Sequence, residues 1–295
     1  MNRRLKEVFI KNIFAVLAFI SVIILAMIVV FLFREGLPLF GTVSVTDFIF
    51  GQEWYPTYNP PAYGIWPLIV GSVIVTVFSC LIAVPFGVLS AVYISEIAPP
   101  SIREILKSII ELLAGLPSVV LGFFGMVIVA PWLQDTFDLP TGLNIVNASV
   151  ILAVMAVPTI SSISEDALYA VPREYKEASY ALGATRFETI AKVTIPAALS
   201  GISTAVILGM SRAIGETMVV LMVAGGAAAI PESIFDSVRP MPASIAAEMG
   251  EAPFRSGHYH ALFATGMVLF FMTLAFNLVA DYISNKFKEV GSGTL

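Results

Sequence analysis

The sequence predicts an all-helical integral membrane protein with six transmembrane helices and both ends in the cytoplasm. Three observations carry that expectation: too few charges for a soluble surface, six long apolar runs, and a one-sided distribution of Lys and Arg between the runs. Of 295 residues, 58% are apolar and 13% charged, roughly half the ~25% charged share of an average soluble domain. Mean hydropathy is +0.89. The net charge of -5 argues against a nucleic-acid partner. Cys80 is the single cysteine and lies inside an apolar run, which leaves no disulfide framework and no thiolate zinc site.

A helix that crosses the hydrocarbon core needs about 20 mostly apolar residues, each rising about 1.5 Å. The first run, residues 13–33, has no charge. Its 21 residues exceed the ~7–15 of a signal-peptide core, and Arg34-Glu35-Gly36 follows where small cleavage-site residues would sit. It is read as a retained span. Trp54, Tyr55, Tyr58, Tyr63 and Trp66 then form an aromatic group suited to interfacial anchoring. The second run, 66–94, contains Pro85 and Gly87. The third, 109–133, contains Glu111 near its start and then Gly115, Pro117, Ser118, Gly122 and Gly125, which either expose backbone N–H groups to an anion, as broken transporter helices do, or, the reading favoured here, serve close packing. The fourth, 144–162, has Pro158 near its end, and its Asn147-Ala148-Ser149 triplet is a sequon without meaning inside a span. The fifth, 197–225, contains Arg212 and Glu216. The sixth, 261–283, ends beside Asp281. The chain thus divides into a first helix with its outer loop (1–65), a core (66–283) and a short cytoplasmic tail (284–295).

Alternate connections carry Arg3, Arg4, Lys6 and Lys11, then Arg103 and Lys107, then Arg173, Lys176, Arg186 and Lys192, then Lys286 and Lys288: twelve cations. The other connections hold three, Arg34, Arg239 and Arg255. Cytoplasmic loops are the ones enriched in Lys and Arg, so both termini are placed in the cytoplasm, which agrees with an even number of spans putting both ends on the same side.

Residues 163–196 form the longest cytoplasmic connection and read as helix, glycine, helix, broken at Gly183 and stopped by Pro196. Pro172 suits the start of a helical turn. Ala178, Ala181, Leu182, Ile190 and Val193 give the segment an apolar side with no bilayer to bury it in. Such a helix is either a solvated loop or a surface that docks into another protein's groove. Glu177-Ala178-Ser179, three residues, Gly183, nine residues and Val193-Thr194-Ile195-Pro196 closely resemble the cytoplasmic signature of ABC importer permeases. Ser179, Val193 and Ile195 are small departures from its usual Ala, Ile and Leu. The resemblance implies a coupling helix seated on an ATPase subunit, with Glu177, Ala178, Ser179, Gly183, Ala184, Thr185 and Arg186 as the contact.

Arg212 falls near the middle of the fifth span, where a charge costs at least about 2.5–3.5 kcal/mol. A continuous helix would place Glu216 on the same face, about 6 Å along the axis. One reading is an ion pair that only fixes packing. The other is an anion path. Arginine offers a planar, permanently charged fork for an oxyanion. A carboxylate beside it suits an anion that carries a proton: phosphate near neutral pH retains a P–OH group that sulfate lacks. On the same helix Gly201, Ala205, Gly209 and Ala213 form a stripe of small residues that lets a neighbouring helix approach, in this chain or another subunit.

The run Arg212-Ala213-Ile214-Gly215-Glu216-Thr217-Met218 is similar to a motif of the PstC-type permeases of bacterial phosphate ABC importers. So are the segments 111–120, 122–125, 164–168, 181–186 and 257–263. Gly226 departs from the expected Asn. The likeness, over residues 54 to 281, implies a type I (MetI-like) permease fold in the bacterial inner membrane. It implies Arg212, Glu216 and Thr217 on the substrate path. It also implies three partners: a PstA-like second permease, a PstB-like ATPase dimer that holds the ATP and Mg, and a PstS-like external phosphate-binding protein. No cofactor is expected in this chain. The sequence contains no Gly-Lys dipeptide and hence no phosphate-binding loop, so the expectation is a transport subunit and not an enzyme. A permease for sulfate, a secondary transporter with Glu216 as proton carrier, and a non-transporting scaffold are the rival readings. His258 and His260 have no third ligand in view, and no metal site is expected.

Overall fold

The computed structural model describes the backbone of residues 3–291 and the side chains of residues 10–279, 281 and 282. The last four residues of the expected tail, and the side chains of Arg3, Arg4, Lys6, Lys286 and Lys288, lie outside the described residues. The first helix, α1 (Arg3–Gly36), is joined by a 3-10 turn to the short α2 (Val45–Phe50), whose N-terminus is capped by the Ser44 hydroxyl accepting from the Asp47 amide. A two-stranded hairpin follows, β1 (Trp54–Tyr55) antiparallel to β2 (Ala62–Tyr63). The second span is α3 (Trp66–Val92), which stays helical through Pro85. After it come α4 (Pro100–Ala114), α5 (Ser118–Phe124), α6 (Ala130–Phe137) and α7 (Ile145–Tyr169). The connection holds α8 (Arg173–Ala181), α9 (Arg186–Thr189) and the single turn α10 (Ile195–Ala197), leading to α11 (Leu199–Ile214) and α12 (Met218–Val223). The short α13 (Met241–Glu248) and the long α14 (Gly257–Gly291) follow.

Among the described residues five helices are long and apolar enough to cross a bilayer, and a bent pair makes the sixth. The central one is α7, with 67% of its apolar window buried, whereas none of the first span's window is. Small residues explain how close the neighbours come. A Cβ on Gly87 of α3 would lie 2.7 Å from Ile160, and one on Gly209 of α11 would lie 2.6 Å from the same side chain. Gly201 meets Ala167 in the same way. The small-residue stripe therefore packs on α7 of this chain. In the third span Gly122 faces Met222, and Gly125 faces Val223 and Ile151, so these two glycines serve helix packing as expected. By contrast α1 leans on α14 through edge-on pairs, Phe31 with Phe263 and Phe33 with Phe270 and Phe271.

Three boundaries differ from expectation. The third span runs Ser118–Phe137 and not from residue 109, because Gly115 and Pro117 end the preceding helix. Residues 109–114 belong to α4, an amphipathic helix pinned by Arg103 donating to the Ile94 carbonyl at 2.8 Å and by Lys107 paired with Glu165 at 2.9 Å. That carboxylate holds the Lys107 ammonium above its ordinary range. Helix α7 extends past residue 162 to Tyr169, so the connection begins later, with Pro172 at the cap of α8. The fifth span is broken twice: 68° separates Arg186–Ala197 from Leu199–Ile214, and α11 stops at Gly215.

A π-helical turn at Gly125–Val129 follows α5. Asn147 Nδ2 donates to the Gly125 carbonyl at 3.0 Å and to Gly142 at 2.9 Å. The sequon asparagine is thus a buried stitch between the third and fourth spans.

Candidate translocation and coupling sites

The fifth span alone cannot cross as one helix. The 16 residues of α11 reach about 24 Å against about 30 Å of hydrocarbon; the candidate sixth span joins α11 to Arg186–Ala197 across the 68° bend, and after the break at 215–217 the chain resumes as α12. Arg212 sits in the last turn of α11, exposed, with Nη1 donating to Thr159 Oγ1 of α7 at 3.2 Å. Glu216 lies outside both helices. Its Oε1 accepts from the Met218 and Val219 amides at 3.2 and 3.4 Å, which caps the start of α12. The expectation of a shared helical face is therefore corrected: the chain turns between the two residues, and no ion pair joins them among the described residues. What remains on this flank is an exposed guanidinium at a helix C-terminus, followed along the chain by a half-buried carboxylate and then the half-buried Thr217 at the next helix's N-terminus. Lipid cannot solvate that flank. Protein or water must cover it.

The connection after α7 is held to the end of α3. A π-helical turn there, Tyr93–Ile97, presents Glu96, which accepts from Lys176 Nζ at 2.7 Å, while Arg186 donates to the Glu96 carbonyl. Gly183, at φ 84°, makes the turn between α8 and α9 in the left-handed region, where a Cβ is resisted. Thr185 and Glu188 form a reciprocal capping box at the start of α9. Ser179 and Thr189 hydroxyls lie 2.9 Å apart and tie the two arms together. The expected apolar side is divided. Ile190 is buried in a cluster with Ala91, Val92, Leu168, Val171, Ala198 and Ile202, and Val193 is half-buried. Ala178, Ala181 and Leu182 stay exposed, joined by Tyr175, Tyr180 and Phe187, the last 77% accessible.

Beyond the break, Val220 and Leu221 of α12 help to line a chamber of about 670 Å³ with residues 54–57 and 226–229, Arg239, Glu248, Glu251 and His258. Glu248 organises one wall. Its carboxylate accepts from Trp54 Nε1 (3.0 and 3.1 Å), Arg239 Nη1 (2.8 Å), Ser244 Oγ (2.9 Å) and His258 Nε2 (2.8 Å).

Residues 83–289 match the family described as binding-protein-dependent transport system inner membrane component. The chain belongs to this family. A Bacillus subtilis protein named probable ABC transporter permease protein YqgH is 40% identical to it over 97% of this chain and 94% of its own. A phosphate transport system permease protein PstC of Mesorhizobium japonicum is 32% identical over 90% and 86%. A solved bacterial ABC transporter for import of the acidic polysaccharide alginate superimposes with a TM-score of 0.65 at 15% identity, over 96% of this chain and 99% of that one. The fold is that of the type I ABC importer permeases.

In this permease the structure gathers Arg212, Glu216 and Thr217 at one helix break, and Glu177, Ala178, Ser179, Gly183, Ala184, Thr185 and Arg186 on one exposed elbow. Trp54 departs from the anchoring role expected of it: it is 2% exposed and bonded to Glu248. The sequence reading also missed Phe187, Glu96, Arg239 and Glu248. The Gly226 departure has a backbone reason, because its φ of 78° is a conformation that Asn shares with Gly more readily than other residues do.

Proposed function

We propose that this chain is the permease subunit of an ATP-driven importer of inorganic phosphate, contributing half of the translocation path, with both termini in the cytoplasm. The observation that carries the reading is Arg212, a permanent cation exposed at a break in a membrane span and followed by a carboxylate at the next helix cap. Such a pair suits an oxyanion that still bears a proton. Similarity to PstC proteins supports phosphate over sulfate and other oxyanions. The exposed elbow with Leu182 and Phe187 is the coupling surface for a separate ATPase dimer, which supplies ATP and Mg. A second, PstA-like permease covers the Arg212 flank, and a PstS-like external protein delivers the anion. This assignment favours an ABC importer over a gradient-driven carrier, which leaves the elbow without a purpose.

The test is reconstitution with the ATPase, second permease and binding protein, measuring uptake of labelled phosphate against sulfate. Uptake is expected to need nucleotide and to fall by at least about tenfold in Arg212→Gln, the loss of one or more charge-assisted hydrogen bonds. Full uptake in that variant, or uptake by this chain without nucleotide, overturns the reading.

A further inference from the structure

The chamber beside α12 is built around a cation whose partners use only part of its hydrogen-bonding capacity. Arg239 is held by Nε donating to the Gly226 carbonyl at 2.7 Å and by Nη1 donating to Glu248 at 2.8 Å. A guanidinium carries five N–H donors, so three remain without a protein partner among the described residues. The side chain is 32% exposed and lines the chamber. Glu248 pairs with Arg239 and also accepts from Trp54, Ser244 and His258, so both its oxygens are engaged and the carboxylate holds the arginine in place. Glu251, exposed at the rim, makes no side-chain contact among the described residues. The chamber also reaches Val220 and Leu221 of α12, whose N-terminus is capped by Glu216. It therefore adjoins the α12 end of the broken span.

We infer that this chamber is a first anion station. Arg239, positioned by Glu248, takes a proton-bearing tetrahedral oxyanion before it reaches Arg212, and the Glu251 carboxylate accepts from the anion's acidic O–H or repels anions that lack one. The inference rests on the anion-import reading but assigns a separate site. A water-filled chamber is where a guanidinium with spare donors recognises an oxyanion through paired N–H groups.

The experiment uses the purified complex of both permeases with the ATPase, without binding protein, in an Arg212→Gln background that silences the inner site. Equilibrium binding of labelled inorganic phosphate is measured at low and high salt. Saturable binding is expected, weakened about tenfold by Arg239→Gln and restored in part by Arg239→Lys. Glu251→Gln, an exposed change that disturbs no contact, is expected to tighten competing sulfate, which lacks an O–H, about twofold to threefold at low salt, with the gain lost at high salt. Equal phosphate binding with and without Arg239→Gln in the Arg212→Gln background overturns the inference, as does unchanged sulfate competition in Glu251→Gln. It is also overturned if, once binding protein is added to the complex with Arg212 intact, Arg239→Gln abolishes only its stimulation of ATP hydrolysis, since the arginine then reads a carboxylate on that partner. Failure of the otherwise wild-type complex to import phosphate sinks the import reading instead, which separates the two failures.

Discussion

Arg212 and Glu216 are four apart in the sequence and serve different helices, which changes what each substitution tests. Glu216 has two duties: it sets a carboxylate at the helix break that follows Arg212, and its Oε1 caps α12. Gln keeps a carbonyl oxygen for the cap and loses the charge, whereas Ala loses both. Glu216→Gln is therefore expected to leave thermal stability within about 0.5 kcal/mol while eroding the preference for phosphate over sulfate. Glu216→Ala should add a stability loss of about 1 kcal/mol, the usual cost of a missing cap. Thermal unfolding and competitive uptake on the same samples separate the two duties, and equal stability in both variants removes the cap from the account. The charged residues were legible as a pair, because an arginine inside an apolar run is conspicuous on insertion energetics alone. The break between them was not: the 215–217 turn contains no proline, and the cap is a side-chain choice that spacing does not reveal.

At the scale of elements, apolar run length recovers the first, second, fourth and sixth spans because each is one continuous helix at least as long as the core is thick. It misplaces the third because the apolar stripe of the amphipathic α4 merges with the span in any running average, and only the Gly115 and Pro117 backbone separates them. The elbow was legible as helix, glycine, helix. Its anchoring was hidden, since Glu96 lies 80 residues from Lys176, and such a pairing exists only after α3 and α7 pack. That anchor makes the elbow move with the end of α3 rather than as a free loop. The Lys176 and Glu96 side chains are 21% and 11% exposed, so removing one partner leaves a largely desolvated charge. Lys176→Met is expected to speed amide exchange across Arg173–Ala181 by roughly tenfold or more and to lower phosphate imported per ATP while ATP hydrolysis continues. Unchanged exchange in that segment shows the contact to be incidental.

For the whole molecule, the decisive question is which of its exposed faces meets lipid. The first span exposes Phe14, Phe19, Leu25 and Phe31 along its length and carries no charge through residues 13–33, as a lipid-facing helix should. The flank at the fifth-span break is also exposed within this chain at Arg212 and Gly215, with Glu216 half-buried next to them in the chain. A bilayer would penalise that surface by several kcal/mol, and the second permease proposed above would cover it and leave a water-filled seam between the two subunits. On that proposal this chain holds half a path, closed by a partner. Cysteine labelling decides it: in a Cys80→Ser background, Gly215→Cys adds a side chain whose Cβ has only the Ser211 carbonyl near it, at 3.6 Å. In the assembled transporter that thiol is expected to react with a charged, water-soluble maleimide, and a fluorophore there should resist lipid-borne quenchers. Phe19→Cys on α1 should behave in the opposite way. If the two positions label and quench alike, the Arg212 flank faces lipid, and a path along it is ruled out.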